Sequence, residues 1–63
     1  MDKKELFAFI VKHFGGQRSM ARALLVTDGA ISQWVSAQAI PPLQAIKIEK
    51  MMNGSVKAAD LIK

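Results

Sequence analysis

Residues 17–36, QRSMARALLVTDGAISQWVS, decide the fold of this 63-residue chain. Two short helices that cross steeply must bury the apolar side chains at their contact, which we call the seam. The seam restricts which positions can hold apolar and which very small side chains. Ala21 lies where the second helix passes over the first, and a larger side chain there would push the helices apart. Thr27 fits as the N-cap of the second helix, with Asp28 beside its positive end. The apolar positions of the seam are Met20, Leu24, Val26, Ile31 and Trp34. The stretch therefore predicts a helix-turn-helix.

The remainder of the chain also has helical periodicity and no alternating strand pattern. A first helix opens at Asp2 and Glu5, which have capping-box spacing, and ends at Gly15 and Gly16. The expected elements that follow are helices at 17–24 and 28–35, a loop at 36–40, a helix from Pro41 and Pro42 to residue 52, and a short helix at 58–62. We expect residues 1–63 to form a single all-α domain, a compact bundle of four to five short helices.

Composition narrows the class of protein. The chain has no cysteine, which excludes disulfides and thiolate metal sites, and its formal charge of +4 with a pI near 9.9 favours a polyanionic partner. One histidine, no glycine-rich phosphate loop and no paired carboxylates argue against an enzyme, a cofactor or a small-molecule substrate. No apolar run approaches the ~18 residues of a membrane span, and no signal-peptide layout is present. We therefore expect a cytoplasmic protein with no membrane partner.

The motif resembles that of the Cro-type repressors of lambdoid phages, which belong with the lambda repressor-like DNA-binding domains. The residues that carry the resemblance, together with the preceding helix KELFAFIVKHFGG (residues 4–16), are Gln17, Ala21, Leu24, Val26, Thr27, Ile31, Ser32, Gln33 and Trp34. The resemblance implies a sequence-specific regulator that binds double-stranded DNA in the cytoplasm of a bacterial or phage-infected cell. One position departs from the pattern, because Leu25 stands where the family usually has glycine. A left-handed Leu25 would cost on the order of 1 kcal/mol, whereas a turn of another shape would alter the tilt of the following helix.

The helical period separates an inward from an outward face in residues 28–35. With Ile31, Trp34 and Val35 inward, the outward residues are the candidate base readers: Thr27, Asp28, Gly29, Ser32, Gln33 and Ser36. Gln33 can pair with adenine, Asp28 can accept from cytosine N4, and Gly29 lets the backbone approach closely. By resemblance, Thr27, Asp28, Ser32 and Gln33 align with residues that read operator bases, and Gln17 aligns with one that holds a phosphate. The candidate phosphate contacts are Gln17, Arg18, Arg22, Gln38 and Lys47.

The second half of the chain has more apolar residues than one small core needs. Leu43, Ala45 and Ile46 are expected to cover the core, which leaves others for an exposed patch of the kind that marks an interface. The candidate interface residues are Met51, Met52, Val56, Leu61 and Ile62, the last three in a possible dimerisation tail at residues 55–63. A homodimer, at least on DNA, would place two reading helices ~34 Å apart on a roughly palindromic operator. In the opposing interpretation, the tail folds back and completes a monomeric core.

Three functions are compatible with this pattern. The first is a DNA-binding repressor of the Cro type. The second is an antitoxin-like regulator that controls its own gene through the same motif and binds a protein partner with its C-terminal half. The third is a helical interaction domain that does not touch nucleic acid.

Overall fold

The computed structural model describes residues 2–62, so the two ends of the predicted domain, residues 1 and 63, lie outside the described residues. This part of the chain forms α-helices and no strand, as predicted. The helices are α1 (Lys3–His13), α2 (Gln17–Leu24), α3 (Asp28–Ala37), α4 (Pro42–Met51) and α5 (Ala58–Leu61). None of these helices is long and apolar enough to cross a membrane.

The helix boundaries follow from local capping. The Asp2 side chain accepts a hydrogen bond from the Glu5 N–H at 2.8 Å and opens α1, as its spacing predicts. After α1 the chain reverses through Gly15, whose φ of 89° suits glycine. Helix α3 is longer than predicted, because it continues through Ala37 until Gln38 ends it in a left-handed conformation.

The core draws on every helix and on the segments between them. Its buried members are Phe7, Ile10, Met20, Ala21, Leu24, Ile31, Ile40, Ala45, Ile48, Met52, Val56 and Leu61. Helix α2 packs directly against α3, and α4 against α5. The helix-turn-helix and the pair α4 and α5 thus share one apolar core. This core packs against one side of α3 and leaves its other side in solvent.

Two hydrogen bonds hold the C-terminal segment in place. The Ala58 N–H donates to Glu49 Oε1 at 2.6 Å, so a side chain of α4 caps α5. The Ile40 N–H donates to the Leu61 carbonyl at 2.8 Å and ties the end of α5 to the loop before α4. Lys57, at the N-cap position of α5, supplies no side-chain hydrogen bond to this helix. The segment therefore folds back on the protein.

This packing corrects the predicted roles of the apolar residues in the second half. Met52, Val56 and Leu61, predicted as interface residues, are buried in the core and so are removed from the surface a partner chain could reach. Leu43 and Ile46, predicted to cover the core, are exposed. The physical reason is the helical period of α4, which places Ala45, Ile48 and Met52 on one side and Leu43 on the other. Met51 and Ile62 keep partial exposure, 42% and 36%.

Candidate nucleic-acid interface

The turn between α2 and α3 is closed by Leu25 in a left-handed conformation, with φ 59° and ψ 44°. The N–H of the next residue, Val26, donates to the Ala21 carbonyl at 2.9 Å, which completes the C-terminal cap of α2. The Leu25 side chain is 86% exposed, so packing does not compensate the backbone strain. Of the two turn shapes considered from the sequence, the structure has the strained, left-handed one.

The start of α3 is fixed by Thr27. Its backbone is extended, with φ −82° and ψ 157°, and its hydroxyl accepts a hydrogen bond from the Ala30 N–H at 3.1 Å. Asp28 follows in the first turn, where a negative charge is favourable. The predicted N-cap is confirmed, and it sets the residue at which the outward face of α3 begins.

The crossing of the two helices is held by apolar contacts on their inner sides. Met20, Ala21 and Leu24 of α2 are buried, as is Ile31 of α3. Trp34 and Val35 are half-buried and pack against the same core, as the helical period predicts. Because Trp34 contributes to this packing, the seam fixes α3 along more than one turn.

The opposite side of α3 carries a shallow, open depression. Its lining residues are Thr27, Gly29, Ala30, Ser32, Gln33 and Ser36, which we call the reading face. All of them are exposed except Ala30, which is half-buried. The structure therefore brings together most of the predicted base readers. Asp28 is exposed but does not line this depression.

The sequence does not mark Ala30 as a candidate base reader, because its side chain has no hydrogen-bonding group. Its position three residues after Thr27 and three before Gln33 would have placed it on this side of a helix. In the structure Ala30 is one of the residues that line the depression. The reading face thus has apolar as well as polar surface.

The predicted phosphate contacts are all exposed and lie on α2, at the end of α3 and on α4. Gln17, Arg18 and Arg22 are exposed, and Arg18 and Arg22 are one helical turn apart on α2. No side chain caps the N-terminus of α2, so its first-turn N–H groups are free to meet an anion. Gln38 is exposed at the C-terminal end of α3. Lys47 is exposed on α4, outside the helix-turn-helix, beside Leu43.

A family model and a known protein are similar to this chain in sequence. The family model of the DNA-binding transcriptional regulator Cro of the P22 type matches residues 6–63. The regulatory protein cro of Salmonella phage P22 is 40% identical over 48 residues, covering 76% of this chain and 75% of that protein. No solved structure matches the chain significantly. The predicted Cro-type resemblance is confirmed, and with it the prediction that the chain is not an enzyme. The chain belongs to the P22 Cro family of phage DNA-binding transcriptional regulators.

Proposed function

We propose that this Cro-family regulator lays α3 in the major groove of a roughly palindromic operator and reads it through the reading face. One observation carries the proposal: Thr27, Gly29, Ser32, Gln33 and Ser36 converge on one open side of α3, while its other side is fixed in the core. A major groove about 12 Å wide admits one helix whose outer side chains reach the base edges.

The polar members of the reading face match the hydrogen-bonding groups in the groove. Gln33 is exposed at the middle of α3, where its amide can bond adenine N6 and N7 together. Ser32 and Ser36 can donate to or accept from a base or a phosphate. Asp28 can accept from cytosine N4, although its carboxylate repels nearby phosphates. We therefore assign Gln33 the largest share of base discrimination.

The phosphate contacts position α3 without reading sequence. The uncapped start of α2, with Gln17 and Arg18, offers free N–H groups and a cation together. Arg22 lies one turn further along the same helix and extends this contact. Gln38 and Lys47 are the outer contacts, one at the end of α3 and one on α4. The logarithm of the affinity falls linearly with the logarithm of the salt concentration, and each phosphate neutralised should make this slope steeper by about 0.9.

We further propose that two copies pair on DNA. The predicted interface residues that keep exposure are Met51 and Ile62, and the same half of the protein exposes Leu43 and Ile46. This is a smaller apolar surface than the sequence suggested, which favours a dimer that forms on the operator over a permanent one. A second half-site then contributes by raising the effective concentration of the second copy. Such a regulator acts in the cytoplasm of the infected bacterial cell, where the phage DNA is.

No observation favours the antitoxin-like alternative. In that alternative the partner would contact Met52 and Leu61, and both are buried in the core.

Selection of bound sites from a random double-stranded DNA pool tests the proposal. The expected result is an enriched half-site repeated with two-fold symmetry, with centres ~34 Å apart. Sedimentation of the protein with DNA carrying one or both half-sites then measures pairing, and two copies should bind the full site cooperatively. Enrichment of no sequence, or equal affinity for all sequences at every salt concentration, would contradict the proposed reading mode.

A further inference from the structure

We infer that Gly29 adds a preference for thymine to the reading face, because its missing side chain leaves room for the methyl group of a thymine. The inference deepens the proposed function and rests on it. It concerns why the chain has glycine at this position of α3, where glycine weakens a helix relative to alanine.

The fold gives no reason for this glycine. Gly15, Gly16 and Gly54 have φ values of 89°, 118° and 78°, in which glycine relieves strain, whereas Gly29 lies within α3 outside this left-handed range. A Cβ built on Gly29 would have Thr27 Oγ1 as its nearest neighbour outside the local helix backbone, at 3.9 Å. That distance is an ordinary van der Waals contact. Alanine would therefore fit the protein without a clash and would favour the helix.

The space beside Gly29 faces outward. Gly29 lines the depression together with Thr27 and Ala30, whose side chains each contain a methyl group, and Gln33 lies one turn further along α3. In the major groove, the apolar projection that a base pair offers is the thymine C5-methyl, and Thr and Ala methyl groups are its usual contacts. Gln33 is suited to adenine, so an A·T-rich step presents both groups at once. The chemistry of the depression thus favours a thymine next to Gly29.

A methyl group added at Gly29 should therefore favour folding but weaken the recognition of DNA. In Gly29→Ala the new methyl group would occupy the space that the thymine methyl needs. The variant should unfold at the same temperature as the native protein or a higher one, yet bind its operator less tightly. Loss of binding without loss of stability separates this role from a structural one.

The test measures binding of the native protein and Gly29→Ala to the operator selected by the native protein. Each thymine of the half-site is replaced in turn by deoxyuridine, which removes only the methyl group. For the native protein, replacement at one thymine should weaken binding about fourfold, the value expected for one methyl group removed from an apolar contact. Gly29→Ala should bind the thymine operator about tenfold less tightly, and the same deoxyuridine should restore part of its affinity.

Gln17→Ala is the control, because the loss of a phosphate contact should weaken binding to the thymine and deoxyuridine operators equally. Two results would overturn the inference while leaving the proposed function intact: unchanged binding by Gly29→Ala, or an equal loss on both operators. If the native protein selects no sequence at all, the proposed function fails and this inference fails with it.

Discussion

The helix-turn-helix and the C-terminal half of this protein are held together by different kinds of contact. In residues 17–36, Leu24 and Ile31 pack across a short turn, and the Thr27 cap acts within three residues of itself. In residues 40–62, the deciding hydrogen bonds join Glu49 to Ala58 and Ile40 to Leu61. A local arrangement can be varied at its surface without moving the seam, whereas the second arrangement also depends on a bond between Ile40 and Leu61, at opposite ends of its segment. The region that we propose to read DNA is the local one.

The largest expected difference is between two leucines of the C-terminal half. Leu61 is buried, and Leu61→Ala should lower the free energy of unfolding by about 2–5 kcal/mol through loss of apolar contact and the cavity left behind. Leu43 is 82% exposed, and Leu43→Ala should change it by less than about 0.5 kcal/mol. Urea unfolding of both variants makes the comparison. Equal destabilisation by the two substitutions would show that the helices of this half pack differently.

A smaller effect is expected at the cap of α5. Glu49→Ala removes the acceptor of the Ala58 N–H and should destabilise the protein by about 1–2 kcal/mol. Glu49→Gln keeps an oxygen at the same place and should cost less. Hydrogen exchange of the Ala58 amide reports the bond directly, since exchange should accelerate in Glu49→Ala. An unchanged exchange rate would mean that the Glu49 side chain does not hold the start of α5.

The smallest expected effect on stability is at the turn of the helix-turn-helix. Leu25→Gly removes the cost of a left-handed leucine and should stabilise the protein by up to about 1 kcal/mol, offset in part by the greater freedom of glycine in the unfolded chain. Leu25→Ala keeps a Cβ and the strain, so it is the matched control and should be close to neutral. Thermal unfolding measures both. A stabilisation by Leu25→Ala equal to that by Leu25→Gly would assign the cost to the exposed side chain instead of the backbone.

The two regions also differ in how far their sequence predicts them. The seam residues of α2 and α3, the Thr27 cap and the outward side of α3 follow from helical spacing, because each depends on neighbours within about two turns. The conformation of Leu25 could not be chosen in advance, since leucine is compatible with more than one turn shape. Burial in the second half depends on how α5 packs against α4, which decides it for Met52, Val56 and Leu61. The spacing of apolar residues does not distinguish a folded-back tail from an exposed one. For the site, the sequence predicts which side chains face outward but not the depression that Ala30 and Gly29 help to form.

We propose that α3 reads bases while the start of α2 holds the phosphate backbone. Gln33 and Gln17 are both exposed glutamines, one on each of these helices, so their alanine variants form a matched pair. The direct measurement is the affinity of each variant for the selected operator and for unrelated DNA at one salt concentration. Gln33→Ala should weaken operator binding by about 1–3 kcal/mol and leave unrelated DNA unaffected, whereas Gln17→Ala should weaken both to the same degree. An equal loss on both DNAs for Gln33→Ala would contradict the assignment of α3 as the reading helix.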